Sequence, residues 1–343
     1  MSFIKQLKNS LSDYAKFYAK TDLSSFTLDM FLGEDCNLNC KHCYFGNYRA
    51  QGRPIDVTLW KRIINDFTAY NCNHFHISGK ESLLTPHTLD IIKYLNDIKL
   101  KKNNNLFWGI ISNGTSVPYN IYNDILSTSI DYLEFSIDGE KMNHDIIRGY
   151  GTYEKLLSTL YHLNEFSKIS ISYTINATNC DDLKCTINRI YNLGVRKFYC
   201  SPTRSIGRAR INKLPLISPK KYLEIIDELR ESVVENKFHD TNIKFHIPTD
   251  YLEELLNSPK YKEEIRAYFQ TYKPLYWTIG SNIIELSLQT ISIPLFAHAS
   301  ITSDGKIIES SNSVEFSNEY GTYKNITSFM NLRKKSILNY FNI

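Results

Sequence analysis

The sequence contains little glycine and proline. Its 14 glycines and 10 prolines are about 7% of 343 residues, against an average of about 12%. Hydrophobic residues make up 42% of the chain, with 24 tyrosines and 18 phenylalanines. This composition excludes a disordered, collagen-like or linker-rich chain and supplies enough apolar material for a large core.

Long apolar runs and a strong excess of one charge are also absent. No stretch approaches the roughly 18 consecutive apolar residues of a membrane-spanning helix. The charged first 20 residues lack the apolar centre of a signal peptide. With 40 basic and 36 acidic residues the net charge is only +4. We therefore expect a cytoplasmic protein with no nucleic-acid or membrane partner.

The chain alternates between short apolar runs and segments of helical periodicity. Strands are predicted at 27–33, 74–79, 106–112, 132–138, 168–176 and 197–202. Six βα units imply an α/β fold with a parallel sheet and helices outside it. Six units are fewer than the eight of a closed barrel, so a partial barrel and an open doubly wound sheet both remain possible.

The pattern changes after residue 212. A long amphipathic helix is predicted over 219–237, followed by a helical, tyrosine-rich stretch to about 271. The last 50 residues read as short strands, with Asp304-Gly305 as a hairpin turn. We predict a helical extension over 1–25, the βα region over 26–212, a helical bridging region over 213–289 and a small α+β domain over 290–343.

Three of the seven cysteines fall within eight residues, in GEDCNLNCKHCY. Cys36, Cys40 and Cys43 have C-x3-C-x2-C spacing just after the first strand. Three thiolates on one loop can hold three irons of a 4Fe–4S cube and leave the fourth iron open. Zinc needs four ligands and prefers C-x2-C pairs, and His42 could be a fourth. The spacing favours iron–sulfur over zinc.

Polar residues follow the next three strands. They are Gly79-Lys80-Glu81, Ser112-Asn113-Gly114 and the stretch from Ser136 to Gly139. A parallel sheet places its ligand site at the carboxyl ends of its strands. Glycine allows close backbone approach, Glu81 can pair with an amine, and Ser136 or Asp138 can bond sugar hydroxyls.

With these motifs the chain resembles the radical S-adenosylmethionine (SAM) superfamily. SNG, SIDG with KMNHDIIRG, the turn from Asn176 to Asn179 and SPTRSIGRAR are similar to the subgroup that carries a C-terminal SPASM or twitch domain. The resemblance implies a partial (βα)6 TIM-like barrel, one 4Fe–4S cluster and bound SAM. His42 would lie beside the adenine and Arg148 near the SAM carboxylate. The SAM contacts it implies are His42, Gly79, Glu81, Ser112, Asn113, Ser136, Asp138 and Arg148.

The chain departs from this subgroup at two places. Lys80 stands where the family usually has glycine, so its side chain must either point away or change the local charge. The tail PLFAHASITSDGKIIESS has Phe296 and Ser310 at positions of family cysteines, and no cysteine follows Cys200. The tail therefore resembles a degenerate SPASM or twitch domain that cannot hold an auxiliary cluster.

The resemblance also implies the activity. Such enzymes receive an electron from a flavodoxin or ferredoxin, cleave SAM to a 5′-deoxyadenosyl radical and mostly modify ribosomally made peptides. We expect a crosslink or an epimerisation. Cys200 could return a hydrogen atom in an epimerisation, unless it belongs to the core. A small-molecule substrate such as a nucleoside or sugar, or a non-catalytic SAM-binding protein, are the alternatives.

Overall fold

A computed structural model describes residues 23–24, 26–101, 105–235, 238–261, 275–288, 295–309 and 319–341. Apart from residues 23 and 24, the predicted helical extension over 1–25 lies outside the described residues. So does the part of the predicted tyrosine-rich helical stretch beyond residue 261. None of the described helices is both long and apolar enough to cross a membrane.

Six parallel strands form the centre of the sheet, in chain order. They are β1 (Thr27–Met30), β2 (His74–Ile77), β3 (Phe107–Ser112), β4 (Tyr132–Ser136), β5 (Ile169–Ile175) and β6 (Lys197–Pro202). The helices between them are α1 (Val57–Ala69), α2 (Thr88–Lys101), α3 (Tyr119–Leu126), α4 (Lys141–Arg148), α5 (Thr152–Tyr161) and α6 (Leu183–Asn192). The predicted α/β fold with a parallel sheet is confirmed.

The sheet continues beyond both predicted edges. After α7 (Gly207–Ile211) and α8 (Pro219–Val234) come β7 (Asn242–Ile247), α9 (Leu252–Asn257), β8 (Leu275–Ile279) and β9 (Asn282–Leu288). The full order is β12-β11-β10-β1-β2-β3-β4-β5-β6-β7-β9-β8. The prediction that 213–289 is a helical bridge is therefore incomplete, since the segment also contributes three strands.

The tail strands join the same sheet. They are β10 (His298–Ile301), β11 (Lys306–Ile308) and β12 (Glu319–Thr322), followed by α10 (Ile326–Phe341). Strands β10 and β11 form an antiparallel hairpin, with Gly305 at φ +81° in its turn. The predicted hairpin is confirmed, but β10 also pairs in parallel with β1. The tail is thus built onto the barrel sheet.

The periodicity of each helix explains which face it buries. In α1, Trp60, Ile63, Ile64 and Phe67 are buried against the sheet, and full burial of one such side chain stabilises the fold by about 1.5–3 kcal/mol. The helix starts where Asp56 accepts a hydrogen bond from the Leu59 amide at 2.8 Å, which satisfies a free donor of the first turn.

The strands bury apolar residues on one face only. Leu28, Met30, Trp108 and Phe135 belong to the core between sheet and helices. Because successive side chains of a strand point to opposite faces, the residues between them face the interior of the partial barrel. Many of these are polar, including Asp29, His76, Glu134, Ser172 and Lys244. This polar interior leads to the carboxyl ends of the strands.

Candidate active site

The three cysteines of the loop after β1 line one cavity of about 870 Å³. Cys36 is exposed, Cys43 is partly buried and Cys40 is buried. Within the described residues, no three His, Cys, Asp or Glu side chains are arranged to hold a single metal ion. A 4Fe–4S cube makes a different demand, because each thiolate binds a separate iron. Three cysteines spread along one cavity wall fit that demand.

Backbone and side-chain hydrogen bonds from α7 hold the cysteine loop. The Arg208 amide donates to the Cys43 carbonyl at 2.9 Å, and its Nε donates to the Cys40 carbonyl at 2.9 Å. Gly207 has φ +51°, and a Cβ there would lie 2.4 Å from the Cys43 oxygen. A side chain at this position would therefore push the loop away. In the sequence, SPTRSIGRAR indicates only the family resemblance, and no pattern there predicts these bonds of Arg208.

Burial controls the charge of these thiols. It raises the pKa of Cys40 to about 11, although Arg148 opposes the shift, and it also raises the pKa of Cys36. Since only thiolates ligate metal, binding must displace these protons. Arg148 and Arg208 line the same cavity, so their positive charges favour an anionic group there.

Glu81 is buried at the carboxyl ends of β2 and β3. Its Oε1 accepts from the Ser112 hydroxyl at 2.9 Å, and its Oε2 accepts from the Asn113 amide at 2.8 Å. Burial raises the pKa of the Glu81 carboxyl. The three residues predicted from two strand ends are thus brought together, with Glu81 lining the cavity. A cationic ligand group beside Glu81 would favour the ionised carboxylate, which burial disfavours.

Asn113 joins the SNG turn to the cysteine loop. Its Nδ2 donates to Asn37 Oδ1 at 2.8 Å, and Asn37 Nδ2 donates to Thr115 Oγ1 at 3.0 Å. These bonds span two distant parts of the chain. The predicted ligand residue Asn113 therefore also orients the loop that carries the cysteines.

Lys80 points toward the segment after the cysteine loop. Its Nζ donates to the Tyr48 carbonyl at 2.8 Å and lies 3.4 Å from Glu34 Oε2. Preceding it, Gly79 has φ +104°, and a Cβ there would lie 3.0 Å from the Phe31 ring. The Lys80 ammonium group is therefore held by the 44–50 segment and by Glu34, although Lys80 also borders the cavity.

Asp138 does not line the cavity. Its carboxylate is fully buried, with Oδ2 at 2.5 Å from both His42 Nε2 and Arg148 Nε, and Oδ1 accepting from the Thr174 amide at 2.8 Å. Burial alone would raise the pKa of Asp138, but Arg148 and His42 hold it well below its usual range. Asp138 therefore holds His42 and Arg148 in place, and the expected bond to sugar hydroxyls stays a prediction.

His42, Ser136 and Arg148 do line the cavity. His42 is anchored by Asp138, and the Ser136 hydroxyl lies 3.1 Å from that of Ser172. The Asp138 backbone amide donates to His144 Nδ1 at 3.2 Å. Burial and Arg148 lower the pKa of His144 to about 4, so this ring is neutral and can accept that bond.

Cys200 belongs to the apolar core. It is 2% exposed and packs in the cluster that contains Phe198 and Tyr222. Along β6, Phe198 and Cys200 are buried whereas Tyr199 and Ser201 lie on the opposite, interior face. Although Cys200 borders the cavity, strand alternation turns its thiol toward the helices. The structure therefore gives no support to the hydrogen-donor role, and the same alternation could have been read from the sequence.

The wall of the cavity away from the cysteines was not among the predicted site residues. It is formed by interior-facing residues of β4 to β7 and β9, namely Glu134, Ser172, Thr174, Tyr199, Lys244, His246 and Ser287. Lys244 is paired with Glu285 at 2.8 Å. Burial raises the pKa of Glu134. This wall could have been predicted from the polar residues at every second position of successive strands.

The tail hairpin contacts the cysteine-loop region. The Ser303 hydroxyl donates to Glu34 Oε1 at 2.5 Å, and the Gly52 amide donates to Asp304 Oδ2 at 2.9 Å. Arg333 of α10 donates to the Phe296 carbonyl at 3.0 Å. Ser310, the other position compared with a family cysteine, lies outside the described residues.

Residues 30–190 match the family description "Radical SAM superfamily". Among curated proteins, the chain is similar to the sporulation killing factor maturation protein SkfB of Bacillus subtilis, with 25% identity over 51% of this chain and 42% of SkfB. It is also similar to the pre-heme d1 synthase of Dinoroseobacter shibae, with 26% identity over 52% of this chain and 43% of that protein. The chain thus spans less than half of either relative.

The fold resembles solved structures over nearly all of its length. One is Streptococcus suis SuiB bound to its precursor peptide SuiA, with a TM-score of 0.67, 13% identity and coverage of 94% of this chain and 67% of SuiB. At this identity the likeness concerns the fold. It extends past the matched family region into the segments that carry β7 to β12.

Proposed function

We propose that this protein, whose residues 30–190 match the radical SAM superfamily, is an enzyme that holds one 4Fe–4S cluster on Cys36, Cys40 and Cys43 and cleaves SAM. The observation that carries this proposal is the shared cavity, which the three cysteines line together with Glu81 and Arg148. Cluster and SAM bound there would supply a 5′-deoxyadenosyl radical, which removes a hydrogen atom from the substrate.

The residues of the cavity divide the work of binding SAM. Glu81 offers a carboxylate to the amine, and Ser112 and Asn113 hold it in place through the bonds described above. Arg148 is available to a carboxylate, a contact for which a guanidinium is well shaped. We assign Asp138 a positioning role, since it orients both His42 and Arg148. Gly79 and Ser136 stay proposed contacts.

We propose a peptide substrate, from a ribosomally made precursor. SuiB, which shares the fold, is bound to a precursor peptide, and SkfB is a maturation protein. The cavity reaches from the cysteine loop to the polar wall of β4 to β7, where a peptide can find hydrogen-bond partners for its backbone. Crosslinking and epimerisation remain the two outcomes to compare.

A small-molecule substrate is the second candidate. It is favoured by the similarity to a pre-heme d1 synthase and by the charged groups, Glu134 and the Lys244–Glu285 pair, in the polar wall. Free cysteines throughout the described chain suit the reducing cytoplasm, which we propose as its compartment.

Anaerobic reconstitution tests the cluster and the reaction together. We expect close to four irons per chain and dithionite-driven release of 5′-deoxyadenosine. Replacing Cys36, Cys40 and Cys43 by Ala should abolish both, whereas Cys185→Ala, an exposed cysteine outside the site, should change neither. About eight irons per chain, or a triple variant that keeps its iron, would contradict the assignment.

The substrate class is tested separately by mass spectrometry of a candidate precursor peptide encoded beside this gene. A loss of about two hydrogens indicates oxidation, and unchanged mass with one deuterium gained in heavy water indicates epimerisation. An unmodified peptide alongside active SAM cleavage would favour the small-molecule reading.

A further inference from the structure

Glu134 is a buried carboxylate that lines the cavity away from the cysteine loop. The residue is 8% exposed. On β4 it precedes Ser136 by two residues, so it lies about 7 Å further from the carboxyl end of the strand. In the sheet it is level with Ile111 of β3 and Ser170 of β5. Glu134 is therefore one interior layer deeper in the barrel than Ser136.

The Glu134 carboxylate lacks a counter-charge within the described part of the chain. Two basic side chains of the barrel interior have other partners. His76 Nδ1 lies 2.9 Å from Asp29 Oδ1, and Lys244 Nζ lies 2.8 Å from Glu285 Oε1. Since a buried charge without a partner is costly, a cationic ligand group would supply what these side chains do not.

The surroundings of Glu134 also suit a cation. Burial raises the pKa of Glu134, against the opposing effects of His76 and of the Ser172 hydroxyl. Tyr199 lines the same cavity from the interior face of β6. Burial and the nearby Glu134 carboxylate raise the pKa of Tyr199, so its ring stays neutral. A cation that binds beside the carboxylate is attracted by the face of such a ring as well.

Hydroxyl groups line the cavity between Glu134 and the carboxyl ends of the strands. They belong to Ser136, Ser172, Thr174 and Ser201. A hydroxyl both donates and accepts hydrogen bonds, so it can bond to either group of a peptide bond. The wall thus offers one carboxylate for a charge and several hydroxyls for a backbone.

We propose that Glu134 binds the terminal cation of a lysine or arginine side chain of the peptide substrate. This inference rests on the proposed function, which places SAM and the cluster at the cysteine end of the cavity. Arg148 and Arg208 line that end and favour anionic groups, whereas Glu134 favours a cation. A lysine inserted toward Glu134 would leave its backbone among the hydroxyls of the wall.

The test measures binding of small probes to the reconstituted full chain saturated with SAM, by saturation-transfer NMR. The probes are Nα-acetyl-lysine methylamide, its norleucine counterpart, which lacks only the ammonium group, and 1-aminopentane, which lacks the peptide groups. Glu134→Gln removes the charge and keeps the size of the side chain, whereas Glu134→Asp keeps the charge. The control Glu140→Gln removes a carboxylate charge outside the cavity, at the pair with Arg189.

We expect the wild type to bind the lysine probe about tenfold more tightly than the norleucine probe, because only lysine forms a charge-assisted hydrogen bond to Glu134. Glu134→Gln should abolish this preference, and Glu140→Gln should keep it. The lysine probe should also bind more tightly than 1-aminopentane, since the hydroxyls of the wall bond only to peptide groups.

Iron content shows whether each variant folds. If Glu134→Gln loses its iron, Glu134→Asp takes its place. Its shorter side chain should weaken the lysine probe about threefold and leave the norleucine probe unchanged.

Several results would overturn the inference. They are equal binding of the lysine and norleucine probes to the wild type, a preference that survives in Glu134→Gln, and an equal loss in Glu140→Gln. Binding of 1-aminopentane as tight as that of the lysine probe would assign the site to a small amine instead of a peptide. A wild type that holds iron but does not cleave SAM with dithionite contradicts the proposed function itself, so the two failures are distinguishable.

Discussion

Asp138 Oδ2 lies 2.5 Å from Arg148 Nε, and both side chains are buried at the carboxyl end of β4. The same oxygen lies 2.5 Å from His42 Nε2 in the cysteine loop. One carboxylate thus ties the loop, the end of α4 and strand β5, through the Thr174 amide. Asp138 thus positions two residues that line the cavity, His42 and Arg148, without lining it itself.

Asp138→Asn should destabilise the protein strongly. It leaves the buried Arg148 guanidinium without its counter-charge, and breaking a buried pair from one side costs about 3–5 kcal/mol. Urea unfolding of the cluster-free protein measures this. Glu140→Gln, which breaks the more exposed pair with Arg189, should cost about 1 kcal/mol or less. Equal stability of the two variants, with SAM affinity lost in Asp138→Asn alone, would instead support a direct contact between Asp138 and the SAM ribose.

Glu81→Gln should weaken SAM binding without iron loss. The change removes a charge while keeping the size of the side chain, and a hydrogen bond to a charged group contributes about 1.5–3 kcal/mol. The expected rise in Kd is about 10- to 150-fold, measured by equilibrium binding to the reconstituted protein. Glu134→Gln is the matched buried control on the far wall and should leave this Kd unchanged. A reversed pattern would place the amine near Glu134.

Asp304→Asn should loosen the tail hairpin from the segment after the cysteine loop. Asp304 accepts from the Gly52 amide and from the Thr302 hydroxyl, and these bonds hold its pKa below the usual value despite burial. Hydrogen exchange at 49–55 should rise by a factor of about 5 to 30, equivalent to 1–2 kcal/mol. Glu319→Gln, at an exposed pair with Lys306, should leave exchange there unchanged. Unaltered exchange in both would mean that the hairpin is held elsewhere.

The contribution of His298 to stability should depend on pH. Burial lowers the pKa of His298, but Asp29, 3.2 Å away, outweighs burial and raises it. Burial raises the pKa of Asp29, yet His298 and His76 hold it below its usual range. The pairing therefore stabilises fully between the ordinary pKa values of about 3.9 and 6.5. It weakens as pH rises through the folded pKa of His298 or falls through that of Asp29.

Urea unfolding of the wild type and of His298→Gln across pH 4 to 9 measures the difference in their free energies of unfolding. Wild type should be more stable by about 1 kcal/mol near pH 5.5, a value kept low because the imidazole is partly exposed, and this gap should narrow above neutrality. His162→Gln, on an exposed helix end, is the control and should show no such dependence. A gap that widens with pH would mean that His298 acts as a neutral ring.

Local patterns in the sequence determined much of the fold and the cysteine loop. Period-two and period-3.6 patterns predicted six βα units, and strand β6 has its predicted bounds of 197–202. The loop could be identified because Cys36, Cys40 and Cys43 are close in the chain, so their spacing is itself the geometry. Glu81, Ser112 and Asn113 could be grouped because parallel strands bring their carboxyl ends to one edge.

Only the tertiary structure decided which polar groups bond to other groups of the protein. Asp138 bonds to His42 and Arg148, and Lys80 bonds to the Tyr48 carbonyl. It also decided that β10 pairs with β1, although about 270 residues separate Thr27 from its partner His298. A local sequence pattern predicts only that a side chain is polar or that a segment is extended. Which partner satisfies it depends on long-range packing, because a buried charge or strand edge takes the partner that the whole chain brings within bonding distance.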